Sequence, residues 1–199
     1  MSKTRLDQLA RIISMVTEPP FVAALAIMAL GIYYSQNKPD AWVWAIWGIL
    51  LLLGPASLYV IFAYRYGRLR HLTLVERRER FFPLLLSLIG AFGGAIILFE
   101  KDASTPLLLL SYILIIELVL ILIINFFWKI SVHMITLGAI ITVMMFLRDK
   151  QLGFLYLLLL PVGWARIYRQ RHTLPQVIIG AILGILIALT ILRGFNYWF

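Results

Sequence analysis

Long apolar runs broken by short polar stretches organise the chain, at about residues 21–35, 42–64, 81–99, 106–127, 131–147, 152–166 and 174–192. A bilayer core of about 30 Å takes roughly 20 apolar residues per helix. The pattern therefore predicts an all-α, polytopic transmembrane helical bundle of about six to seven spans. The fifth and sixth runs are short for such a core, which implies local thinning, tilt or a polar cavity at one end. Ahead of the first run, Leu6, Leu9, Ile12, Ile13 and Val16 recur at helical spacing, with Lys3, Arg5, Asp7 and Arg11 on the other positions and Pro19-Pro20 closing the segment. That spacing predicts an amphipathic helix over 1–19 lying in the membrane interface.

Composition agrees. The 199 residues are 62% hydrophobic and 14% charged, and the mean hydropathy of +0.94 excludes a soluble globular domain with a polar surface. The runs leave no room for a separate soluble domain, so 1–199 is expected to be one integral membrane domain. No cysteine is present, which excludes disulfides, thiolate metal sites and cysteine nucleophiles. The basic N-terminus does not read as a cleaved signal peptide, because polar residues continue through Glu18 and no small-residue cleavage site follows a short apolar core. The net charge of +9 sits in short loops between apolar runs. The expected partners are the bilayer, its anionic headgroups or a lipid phosphate substrate, and not nucleic acid.

If every run crosses, the N-terminus and the loops after the second, fourth and sixth runs share one side. That side holds 13 of the 18 cations and all three histidines, His71, His133 and His172. The positive-inside rule places it in the cytoplasm, with a prokaryotic cell membrane as the expected location. With Arg77, Arg78, Arg80, Lys129, Arg166, Arg169 and Arg171 assigned to chemistry, six cations face five and the bias is gone.

Three loops of that side carry the candidate chemistry: VERRERFFP (75–83), KISVH (129–133) and ARIYRQRHTLPQ (165–176). Histidines, arginines, a lysine and a serine at helix ends suit phosphate chemistry without a metal or other cofactor. Guanidinium forks and an ammonium neutralise phosphate oxygens, and helix N-termini add amide donors and a favourable dipole. One neutral histidine can attack phosphorus while a second, protonated, donates to the leaving oxygen.

On these residues the chain resembles the type 2 phosphatidic acid phosphatase (PAP2) superfamily of membrane lipid phosphatases, in a divergent prokaryotic form. Ser131-Val132-His133 is similar to the family's serine-glycine-histidine. Arg166, five residues, His172, three residues, Gln176 keeps the spacing of its arginine, histidine and aspartate, with Ala165 for the preceding serine and Gln176 for the aspartate. Arg70 and Arg77 have the separation of the first motif, but Arg78 follows where the family has proline, and Pro83 comes later. The resemblance covers roughly 70–184. It implies that His172 is the nucleophile of a phosphohistidine intermediate, that His133 is the general acid and that Gln176 orients the nucleophile. It also implies that Arg166, with Arg77, Arg78 or Arg80, and Ser131 hold the phosphate; Lys129 is added by proximity. The implied activity is hydrolysis of a phosphate monoester or diphosphate of a phosphatidate, a phosphatidylglycerol phosphate or a polyprenyl phosphate. The alternative is a weak or inactive PAP2-like protein that binds lipid phosphate, because glutamine accepts the ring N–H but supplies no charge. Arg169 and Arg171 are expected to keep His172 neutral.

Plainer readings stand beside these. Thr173-Leu174-Pro175-Gln176 reads as a helix start with a capping box, Ser131 as an N-cap, and Lys129, Arg166 and Arg169 as side chains reaching headgroups. Three histidines on one side would suit zinc, but so many arginines oppose a cation. Prenyl transfer would need carboxylates, and only Glu76 and Glu79 lie near the basic loops. Pro161 and the short runs would suit a transporter, with no solute indicated. Glu117, with Asn125 two turns on, is a candidate by its place inside an apolar run. Trp128, Trp164, Tyr168, Tyr197 and Trp198 suit an aromatic belt, and Gly90, Gly93 and Gly94 close helix packing.

Overall fold

The computed structural model describes residues 3–34, 38–68 and 78–197. Val75, Glu76 and Arg77, together with Arg70, His71 and Trp198, lie outside them. Among the described residues every regular element is helical: α1 (Lys3–Val16), α2 (Pro19–Tyr34), α3 (Lys38–Arg65), α4 (Phe81–Glu100), α5 (Thr105–Phe127), α6 (Val132–Leu147), α7 (Leu159–Tyr168) and α8 (Leu174–Gly194). A short 3-10 turn, Arg78–Arg80, leads into α4, and a longer 3-10 stretch, Lys150–Leu158, leads into α7.

Five helical segments are long and apolar enough to cross a membrane, and six if α1 and α2, bent by 45° at their junction, count as one. Several apolar helices of this kind are compatible with an integral multi-pass membrane protein. Their outward faces say the same. Along α4, Ile89, Phe92, Ile96 and Phe99 form an exposed stripe, and along α8 so do Leu174, Ile178, Ile182 and Leu186. Water would penalise such stripes, whereas hydrocarbon does not.

Two compact units are formed, one by Ile27–Trp128 and the other by the described residues up to Ala26 and from Lys129 on. In the first, α4 packs against α3 and α5, with the ring of Phe81 5.7 Å from that of Phe126. Glu117 and Asn125 are both buried in α5. Gly94 lies over Leu51 of α3, but a Cβ at Gly93 would meet nothing within 4 Å, so the expectation of close packing fails there.

The tight approach lies in the second unit, between α6 and α8. A Cβ at Gly180 would stand 2.9 Å from the carbonyl oxygen of Ser131, one at Gly138 2.9 Å from that of Ala181, and one at Gly184 would run into that of Ile135. Ser131 against Gly180, Ile135 against Gly184 and Gly138 against Ile185 rise together in number, so the two helices run parallel and their N-termini share one end. Met134, Leu137, Ile141, Val162 and Val177 form the buried core below that end.

The two runs that looked short are handled differently. α6, at about 24 Å, is too short to cross alone and is buried along almost its whole length. The next segment gains length by winding. At about 2.0 Å per residue in the 3-10 part and 1.5 Å in α7, Lys150–Tyr168 reaches ~33 Å, where a continuous α-helix of the same residues would reach ~28 Å. Tyr156 of the 3-10 stretch bonds Thr142 of α6 at 2.7 Å; because the Thr142 hydroxyl donates to Gly138 O, the Tyr156 hydroxyl is the donor in that pair.

α1 packs against α7 and buries Ala10 and Ser14, one turn apart, while Leu9, Ile12 and Val16 of the expected apolar face are exposed. Small side chains let the two backbones approach. Pro19 and Pro20 lack the N–H that would continue α1, and the Glu18 carbonyl instead accepts from Val22 N at 3.0 Å and starts α2.

Candidate functional site

The shared N-terminal end of α6 and α8 gathers most of the residues singled out in the sequence. Ser131 N donates to the Gln176 carbonyl at 3.3 Å, joining the KISVH loop to the first turn of α8. Ser131, His133, Arg166 and His172 are all buried, at 0%, 7%, 7% and 6% exposure, and Lys129 and Gln176 are half-buried. Two helix N-termini at one end present a positive field, a setting that favours an anion.

The spacing between Arg166 and His172 has a local cause. α7 ends in a Schellman closure: Arg171 N donates to Arg166 O at 3.0 Å and Gln170 N to Ile167 O at 2.8 Å, with Gln170 in the left-handed region at φ 53°. His172 N also donates to Arg166 O, at 3.3 Å. One carbonyl thus ties the backbone of the histidine to that of the arginine. Two residues further on α8 begins, so the segment between the two motif residues is one helix end and one tight turn.

Gln176 unites the two readings offered for it. Its Oε1 lies 3.2 Å from Thr173 N, completing half of the capping box of α8, and 3.1 Å from His172 Nδ1. A backbone N–H can only donate, so the Gln176 atom facing Thr173 is its oxygen. That oxygen then accepts from His172 as well, which puts the proton on Nδ1 and leaves the lone pair of the neutral ring on Nε2.

Ser131 occupies the N-cap position of α6, but its side chain makes no capping bond. Its buried Oγ has no hydrogen-bond partner among the described residues, and neither has that of Ser14. A buried hydroxyl in this state costs about 1–3 kcal/mol.

His133 has partners that sequence spacing does not reveal. Its Nε2 lies 3.3 Å from Ser14 O and 3.8 Å from Glu18 Oε1. Ser14 and Glu18 sit at the end of α1 and at the break after it, more than 110 residues away in the chain. The one hint in the sequence is a carboxylate held directly before two prolines, where a helix must turn.

The rim is strongly basic. Burial, and then the guanidiniums of Arg171 and Arg11, push Arg169 below the ordinary arginine range, with Glu18 and Asp7 acting the other way. The mutual repulsion of these cations is a further reason for an anion to be favoured here.

Of the remaining candidates, Arg78 and Arg80 belong to the other compact unit, in the turn before α4, and Arg77 lies outside the described residues. Among the described residues no three His, Asp or Glu side chains come together as metal ligands. No protein-family model, curated protein or solved structure matches this chain.

Proposed function

We propose that the chain is an integral membrane lipid phosphatase of the PAP2 type, with about six to seven spans and α1 at the membrane interface. It removes phosphate from an amphiphilic lipid such as a phosphatidate, a phosphatidylglycerol phosphate or a polyprenyl phosphate. The observation that carries this reading is the bond from His172 Nδ1 to Gln176 Oε1, which leaves Nε2 as the nucleophilic atom of a buried ring set among cations.

In the first step Nε2 of His172 attacks phosphorus, the N–P bond forms and the bond to the lipid oxygen breaks. The lipid alkoxide takes a proton from His133. Water then attacks the phosphohistidine, gives its proton to His133 and releases inorganic phosphate, which restores both rings. Arg166, Lys129 and the Ser131 hydroxyl hold the phosphate oxygens. Arg77, Arg78 and Arg80 are assigned to the same task from the sequence alone.

One feature favours a second reading, in which the pocket binds lipid phosphate without turnover. Gln176 orients His172 but cannot neutralise the charge the ring acquires in the attack, and removing the corresponding carboxylate from a serine protease triad costs about 10⁴ in rate. Phosphate release in mild detergent with chelator present, from a panel of phosphatidate, phosphatidylglycerol phosphate and polyprenyl mono- and diphosphates, separates the two. The expected result is release by wild type that His172→Ala abolishes, together with a phosphohistidine trapped only in wild type. Lipid phosphate binding by folded protein with no release from any of them would favour the binding-only reading.

A further inference from the structure

The two histidines of the site differ in what holds them. His172 leans on a neutral amide. His133 faces the Ser14 carbonyl at 3.3 Å and, at 3.8 Å, the carboxylate of Glu18. The Glu18 side chain is 45% exposed, at the rim, and its charge also reaches Arg169. Its place follows from the chain: the prolines end α1 and force the 45° bend, and the residue at that bend is brought over the first turn of α6.

A ring that must carry a proton gains from a carboxylate, and a ring that must stay neutral does not. Partner chemistry alone therefore distinguishes the two rings. A carbonyl can only accept, so the Ser14 oxygen selects the N–H form of Nε2, and the proton His133 can release and recover is the one on Nδ1.

We propose that Glu18 is a positioning residue for the general acid, holding the His133 imidazolium so that its Nδ1 proton passes to the departing lipid oxygen. This role rests on the phosphatase reading. In balance, the proton leaves Nδ1 for the alkoxide as the P–O bond breaks, the ring becomes neutral with Nε2–H still on Ser14 O, and Nδ1 takes the proton of the attacking water in the second step. Glu18 itself exchanges no proton. The Glu18 carboxylate thus serves the acid, while an amide serves the nucleophile.

The test compares leaving groups. A lipid alkoxide needs the acid; 4-nitrophenolate leaves without protonation. For Glu18→Gln, kcat on phosphatidate in mixed micelles is expected to fall about 10- to 10²-fold, part of the 10²–10⁴ that a general acid supplies. On 4-nitrophenyl phosphate it is expected to fall less than about threefold, with KM little changed for either. The ratio of the two rates is read from one sample, so a partly misfolded preparation lowers both and leaves the ratio intact. If Glu18→Gln does not fold, Glu18→Asp carries the same comparison with a smaller expected loss. Equal losses on both substrates, or no loss on phosphatidate, overturn the role while leaving the phosphatase reading in place. Release from neither substrate by wild type overturns that reading and this role with it.

Discussion

The two compact units are built from helices of similar composition, yet they treat their backbones in opposite ways. The Ile27–Trp128 unit stacks α3, α4 and α5, three long helices that each meet the requirement for a span, and among its described residues the buried polar side chains are Glu117 and Asn125. The other unit adds to the long α8 the break between α1 and α2, a 16-residue α6 and a segment that begins as a 3-10 helix, and it buries Ser14, Ser131, His133, Thr136, Thr142, Arg166 and His172. The lesson is that polar chemistry gathers where helices start, stop or bend. There backbone donors and acceptors left out of the helical ladder become available to fix a side chain.

That contrast can be broken deliberately, and the largest effect is expected at Gln176. Gln176→Ala removes the acceptor of both Thr173 N and His172, and phosphate release is expected to fall about 10²-fold or more, with a loss of about 1 kcal/mol in detergent unfolding for the cap. Gln176→Glu keeps both acceptor positions and adds the missing charge; equal or faster turnover is expected, and a rate as low as that of Gln176→Ala would show that orientation is not what the residue supplies. Next comes a matched pair of glycines. Gly184→Ala drives a methyl into the Ile135 backbone and is expected to cost about 1–3 kcal/mol, whereas Gly93→Ala meets open space and should be neutral or stabilise by up to about 1 kcal/mol. Thermal unfolding of both in one detergent checks the difference. The smallest effect is expected for Gln170→Gly, which removes a side chain from the left-handed position closing α7 and should add roughly 1 kcal/mol or less of stability.

Much of the fold was legible in the sequence because long apolar runs have few ways to satisfy their backbone in lipid. Each run lies on a helix within a few residues of its expected ends. The Thr173–Gln176 helix start was legible too, since a capping box is local chemistry. The buried face of α1 was hidden, because periodicity is read from large apolar residues and this face is made by Ala10 and Ser14. The tightest helix approaches lie at Gly138, Gly180 and Gly184, spread over two helices, and not at Gly93 in the conspicuous Gly90–Gly94 cluster. Glu18 was out of reach for a simpler reason. Nothing in spacing connects it to His133 across most of the chain, and only the bend at the prolines brings them together.

The 3-10 stretch before α7 has a rotational consequence as well as an axial one. Each residue there turns the chain by about 120°, against about 100° in an α-helix, so nine residues accumulate roughly 180° of extra rotation. Residues three apart then lie in one column, and Phe154, Leu157 and Leu160 are all exposed. The same half-turn sets the phase in which α7 begins, with Val162, Gly163 and Arg166 turned inward. Rewound as a plain α-helix on the same axis, the segment would present Arg166 to the opposite side. The winding of nine residues, most of them apolar, thus decides whether Arg166 is turned inward or outward.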